Sequence, residues 1–194
     1  LSNNNLTNDL PRLALPHLTY LYLNNNNLSG SVQLNLPNLK ELELAANSFS
    51  GFFPVLNVPN LEVLILADNA FSGTIPPLNY DNLFIINVLG NNFSGAIPAI
   101  NCPRLEILSL GENQLTGAIP NFNLPMLQDL SLYRNRLTGT IPNFNLPNLQ
   151  LLKLEDNQLS GRIPTFNLPE LTHLYLSKNN LEGEIPVFNM PNLE

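Results

Sequence analysis

The sequence predicts a repeat solenoid, mostly β, in which short units stack and each contributes a strand to a parallel sheet. Three observations predict it. A phrase recurs at a fixed interval: "IPNFNLP" stands at Ile119 to Pro125 and again, letter for letter, at Ile141 to Pro147, with variants starting at Ile97, Ile163 and Ile185. Leucines two positions apart follow the phrases that start at Ile97, Ile119, Ile141 and Ile163, as Leu152 and Leu154 do in "LLKLED". An asparagine then falls at the same place in every unit. Self-similarity with a period of roughly 20 to 29 residues is how a chain encodes supersecondary units that bury their apolar faces only against one another. Units begin near residues 16, 37, 59, 81, 103, 125, 147 and 169, with partial units over 1–15 and 191–194. The 194 residues therefore read as a single domain, and its ends, which fall within units, read as a segment of a longer array.

The elements can be justified in order along one unit, "PNLQLLKLEDNQLSGRIPTFNL" from Pro147 to Leu168. Apolar residues two apart place alternate side chains on one side of a strand, so Leu152 and Leu154 face a core and the residues between them face out. Parallel strands lie about 4.8 Å apart, so roughly nine units make a wall on the order of 40 Å long. The asparagines after the strands, Asn4, Asn26, Asn47, Asn69, Asn91, Asn113, Asn135, Asn157 and Asn179, sit among leucines. An amide supplies donors and an acceptor, so such a ladder can satisfy backbone groups that stacking would leave unpaired. A second column, Asn35, Asn57, Asn79, Asn101, Asn123, Asn145, Asn167 and Asn189, is expected to do the same on the opposite side. In the return half, a glycine such as Gly161 permits a bend closed to other residues, and two prolines fix φ and remove helix donors. Long helices are excluded there. Extended, polyproline-like or short 3₁₀ segments are expected, with the Ile and Phe of the "IPxFN" phrase stacked inward.

Composition narrows the function. A net charge of −7 with only eight scattered Lys and Arg lacks the basic footprint of a nucleic-acid binder. No run of about 18 apolar residues could span a bilayer, so no transmembrane segment is expected. Cys102 is the sole cysteine and occupies a position held by leucine in other units, which makes it a small core residue and not a reactive thiol. His17 and His173 are too far apart in the register to share a metal, and no Ser, His and Asp set converges. The chain reads as a non-enzyme without metal or cofactor.

The consensus "LPxLxxLxLxxNxLSGxIPxFN" resembles the leucine-rich repeat, and "LSGRIP" at Leu159 to Pro164 resembles its plant-specific subclass found in receptor ectodomains. The resemblance covers nearly the whole chain. It implies a solenoid placed in the α/β class by family, right-handed and curved, with few helices, a concave parallel sheet, and use as an extracellular platform for a protein or peptide. These units have 22 residues where the plant subclass usually has 24, and a bacterial surface protein using the same phrase would suit them equally.

On such a sheet the outward residues are the candidate ligand contacts. Its middle carries Val63, Ile65, Ile85, Leu89 and Ile107, with Asn87 among them, as an apolar patch of the kind that marks partner sites. Flanking it are Tyr20, Tyr22, Tyr133, Arg134, Arg136, Lys153, His173 and Tyr175, mostly of types enriched at binding hot spots. Three sequons, at Asn5, Asn27 and Asn92, are N-glycan candidates in one column. The leading functional expectation is a non-catalytic extracellular or surface module that binds a protein, peptide or glycan on its concave face. A segment of an adhesin, stalk or self-assembling fibre, joined through uncapped ends, is the alternative. Ice binding is a third, disfavoured by irregular rows and the lack of a threonine column.

Overall fold

The computed structural model describes residues 1–194 and contains 21 strands and no helix. Eight strands form one parallel sheet, here termed the face sheet: Tyr20–Tyr22, Glu41–Glu43, Val63–Ile65, Ile85–Asn87, Ile107–Ser109, Asp129–Ser131, Leu151–Lys153 and His173–Tyr175. Their register follows the sequence repeat without slip, Ile85 beside Val63 and Ile107, Leu151 beside Asp129 and His173. Equivalent positions thus form straight columns. The central column, Leu42, Leu64, Ile86, Leu108, Leu130 and Leu152, has no solvent exposure and belongs to a single 45-residue core running the length of the array.

A second parallel sheet, the flank sheet, was not foreseen. Its nine strands, Thr7–Asp9, Asn27–Gly30, Ser48–Gly51, Ala70–Thr74, Asn92–Ala96, Gln114–Ala118, Arg136–Gly139, Gln158–Gly161 and Asn180–Leu181, come from the "NxLSG" segments. The seven inner strands each bury one large residue, and Phe49, Phe71 and Phe93 stack there with centroids 6.1 and 6.2 Å apart. Each full unit therefore has two strands where one was expected, and four units have a third on the return, Gln33–Asn35 pairing with Val55–Asn57 and Leu78–Asn79 with Ile100–Asn101. The return half is extended, one of the forms expected for it, and contains no helix, with a single hydrogen-bonded turn such as Leu149 N–H to the Leu146 carbonyl at 3.1 Å before the next face strand. Extended chain advances about 3.3 Å per residue and a helix about 1.5 Å, and only about ten residues are available to bring the chain back across the core. The inward Ile and Phe columns do form: Phe122 and Phe144 are buried and stacked at 6.4 Å, and Ile75, Ile97, Ile119 and Ile141 are buried above them along the return.

The asparagine ladder is realised in the predicted form. Asn113 Nδ2 donates to the Val88, Leu110 and Gly111 carbonyls at 3.0, 3.2 and 2.9 Å, and its Oδ1 accepts the Phe93 N–H at 2.9 Å. Asn135 and Asn157 repeat the pattern one and two units on. Each amide thereby ties its own turn to the preceding unit. Asn4, in the first partial unit, is exposed and bonds only to Leu1 and Ser2. The second asparagine column does not do the same work. Its members are exposed, and only Asn57 with Asn35 and Asn101 with Asn79 are joined, side chain to side chain at 2.7 and 2.6 Å. On that side water can satisfy the amide, so no ladder is required.

Candidate functional site

The residue before each ladder asparagine adopts a left-handed backbone: Asn25, Ala46, Asp68, Gly90, Glu112, Arg134, Asp156 and Lys178 have φ between 50° and 64°. This turn ends the face sheet and sends the chain onto the flank. Up to that turn, three columns project outward from the face: the first strand residues, the third, and those two positions further on.

Along these columns the character changes in blocks. At one end Tyr20 and Tyr22 are exposed and stacked at 6.2 Å. The Tyr22 hydroxyl donates to Glu41, which pushes the phenol up to about 12, and Asn24 donates to Glu43. In the middle Ile65, Ile85, Leu89 and Ile107 are partly exposed around Asn87. At the far end Tyr133 lies across the backbone of Gly111, where a Cβ would stand 2.8 Å from its ring and 3.1 Å from Leu89. Gly111 is thus the floor of a tyrosine site, and burial raises the Tyr133 phenol above its ordinary range. Lys153 Nζ lies 5.9 Å from the Tyr133 ring centroid and 5.8 Å from that of Tyr175, which stacks on His173 at 6.2 Å. This aromatic and cationic cluster joins residues from three successive units, both rings lying within about 6 Å of the ammonium, the reach of a cation–π contact.

Of the sequence-derived positions, one is buried on the face and two are placed elsewhere. Val63 is only 6% exposed, since the shorter valine sits in its column between the longer Glu41 and Ile85. Arg134 occupies the left-handed turn and pairs along the edge with Glu112 at 2.9 Å and Asp156 at 4.0 Å, where Lys178 also meets Asp156 at 3.7 Å. Arg136 lies past the turn in the flank sheet, beside Thr116. The remaining candidates, Tyr20, Tyr22, Ile65, Ile85, Asn87, Leu89, Ile107, Tyr133, Lys153, His173 and Tyr175, share the face. Missing from the sequence reading were the carboxylates Glu41 and Glu43 as part of that site, and the floor at Gly111. Asn27 and Asn92 are exposed first residues of flank strands, and Asn5 is exposed just before one.

The flank sheet also alters the picture of hydroxyl rows. Seven successive strands carry Ser29, Ser50, Ser72, Ser94, Thr116, Thr138 and Ser160 at one position. Most strand pairs there are offset by two residues, so that Asn92 stands beside Ser72 and Ser94 beside Thr74. No group of three His, Cys, Asp or Glu is positioned to hold a metal, and no helix is long and apolar enough to cross a membrane.

The Leucine Rich Repeat family profile matches residues 17–39, 60–79, 126–145 and 170–189. Among solved structures, the plant peptide hormone receptor RGFR1 in complex with RGF2 is 33% identical, with a TM-score of 0.86, and covers 94% of this chain. The chain spans 32% of that receptor's length, about a third. Pollen receptor kinase 3 is 32% identical at a TM-score of 0.58, with 73% of this chain and 74% of that one covered. A plant ice-binding protein is 25% identical at a TM-score of 0.70, covering 97% of this chain and 74% of its own. Curated protein sequences give no match. With the repeat, its asparagine ladder and these likenesses together, the chain belongs to the leucine-rich-repeat family and resembles plant receptor ectodomains.

Proposed function

We propose that this chain is a non-catalytic, extracellular ligand-binding module whose face sheet holds a peptide or a protein segment in extended form. One observation carries the reading: partly exposed Ile65, Ile85, Leu89 and Ile107 lie on one face between two stacked aromatic pairs. Apolar side chains fixed on a rigid sheet and rimmed by tyrosines offer large contact area at small entropic cost. The similar receptor, seen with its hormone, supports a peptide as the ligand class. The test is selection of displayed decapeptides on the wild type and on the triple variant Ile65→Asp, Ile85→Asp, Ile107→Asp. Enrichment on the first and its loss on the second is expected. Equal enrichment on both removes the face as the site.

A second reading, ice binding, is favoured by the seven flank hydroxyls and by the similar plant ice-binding protein. Thermal hysteresis in the purified chain, reduced by Ser94→Tyr with Thr116→Tyr, would support it. Its absence disposes of that reading.

A further inference from the structure

The asparagine pairs at the corner between face and flank divide two tasks, and we propose that Asn27 and Asn92 carry N-linked glycans on the flank sheet, which leaves the face sheet as the open side. This deepens the extracellular reading and rests on it. In each pair the first amide belongs to the ladder. Asn26 Nδ2 donates to the Leu1, Leu23 and Asn24 carbonyls, Asn91 Nδ2 to those of Leu66, Val88 and Leu89, and each Oδ1 accepts a backbone N–H. The second amide has no such work. Asn27 makes no side-chain hydrogen bond, Asn92 only accepts from Gln114 Nε2 at the long distance of 3.5 Å, and both are exposed.

Strand alternation completes the acceptor. Asn27 and Ser29 lie on the outer side of one flank strand with Leu28 buried between them, and Asn92 and Ser94 do the same about Phe93, which has no solvent exposure. The Asn-x-Ser pattern of an N-glycan acceptor is thereby presented outward. Attachment is at Nδ2: its bond to the anomeric carbon of the first sugar forms as that carbon's bond to a diphosphate leaving group breaks, and one amide proton departs. The lipid-linked diphospho-oligosaccharide that supplies the sugar, with its transferase, belongs to the secretory pathway. A bulky polar chain at either site meets solvent, so ladder and core are kept. At Asn5 the same reasoning stops, since Leu6, between Asn5 and Thr7, is 38% exposed and no inward anchor fixes the alternation.

The placement bears on the two readings of function. Asn92 stands beside Ser72, and Ser94 beside Thr74, so a glycan at Asn92 lies over the hydroxyl-bearing strands and keeps a flat solid surface off them. Glycosylation there and ice binding through that flank exclude each other. No sequon falls on a strand of the face sheet.

The test is site mapping on the whole chain, both from its natural source and secreted from a eukaryotic host. Enzymatic release of glycans in heavy-oxygen water converts each glycosylated Asn into Asp carrying the heavy isotope, which mass spectrometry locates. In both preparations label is expected at Asn27 and Asn92 and not at Asn180, which holds the same exposed strand position but is followed by Leu181 and Glu182. Ser94→Ala should abolish the label at Asn92 alone, and Ser94→Thr should keep it. A secreted chain unlabelled at either site overturns this inference and leaves the extracellular reading standing. Label in the host's chain with none in the natural one overturns both.

Discussion

Replacing Asn113 with alanine should cost about 3–5 kcal/mol, although it removes only an amide. The figure follows from the four hydrogen bonds of the ladder. The Phe93 N–H, turned toward Asn113 and buried, loses the Oδ1 acceptor at 2.9 Å, and leaving a buried donor unpaired costs about 1–3 kcal/mol. The three carbonyls each keep one partner. Val88 retains Asn91 Nδ2 at 3.1 Å, Leu110 retains Asn135 Nδ2 at 3.0 Å, and Gly111 retains the Gly90 N–H at 3.2 Å. Each then loses one net bond, about 0.5–1.5 kcal/mol, part of which a water entering the vacated space recovers. Asn4→Ala is the control. Its amide is exposed and bonds only to Leu1 and Ser2, so the change should stay within about 0.5 kcal/mol. Urea unfolding followed by far-ultraviolet circular dichroism measures both. A loss below about 1 kcal/mol at Asn113, or equal losses at the two sites, would refute the view that the ladder holds unit to unit.

Gly95 and Gly117 share φ near +80°, but a Cβ at Gly95 would stand 2.9 Å from Thr74 Cγ2, while at Gly117 the nearest atom is Ala96 Cβ at 3.9 Å. Gly117→Ala should therefore cost about 1–2 kcal/mol from backbone strain alone, and Gly95→Ala measurably more, by the same urea assay. Spectrophotometric titration should show one tyrosine ionising near 12 that returns toward 10 in Glu41→Gln, since Tyr22 is held up chiefly by its hydrogen bond to Glu41. The sign is that of an acid whose folded pKa is raised: the bond's contribution is complete below pH 10 and disappears as pH passes from 10 to 12. Cys102 is 1% exposed, donates weakly to the Leu78 carbonyl, and has its thiol raised by burial, so iodoacetamide should modify it only after unfolding. Rapid labelling of the folded chain would contradict that placement.

The ladder was legible because an asparagine recurring among leucines has no reason to be there unless the backbone uses it. The face strands were legible for a similar reason: Leu152 and Leu154 alternate with polar neighbours, and only one side can be inward. The flank sheet was not, because none of its strands buries more than a single residue, as in "NLSG" around Leu28, and one apolar residue carries no period. The left-handed turns left no trace either. Ala46, Glu112, Arg134 and Lys178 have nothing in common as residue types, and the conformation is imposed by the bonds that stacking makes on either side. That hidden turn is why Arg134 and Arg136 were assigned to the face: the outward column was continued past the point at which the backbone reverses. The carboxylate end of the site was passed over because Glu41 and Glu43 look like ordinary solvated charges until their lack of cations is visible in three dimensions.

The most direct test of the central claim, that the face sheet is the binding surface, is a methyl NMR titration of the isoleucine-labelled chain with a peptide enriched from the library. The account predicts shifts at Ile65, Ile85 and Ile107, with Ile75, Ile97, Ile119 and Ile141, buried on the return side, unmoved. Shifts confined to the return isoleucines, with the three face methyls unchanged at saturation, would contradict it.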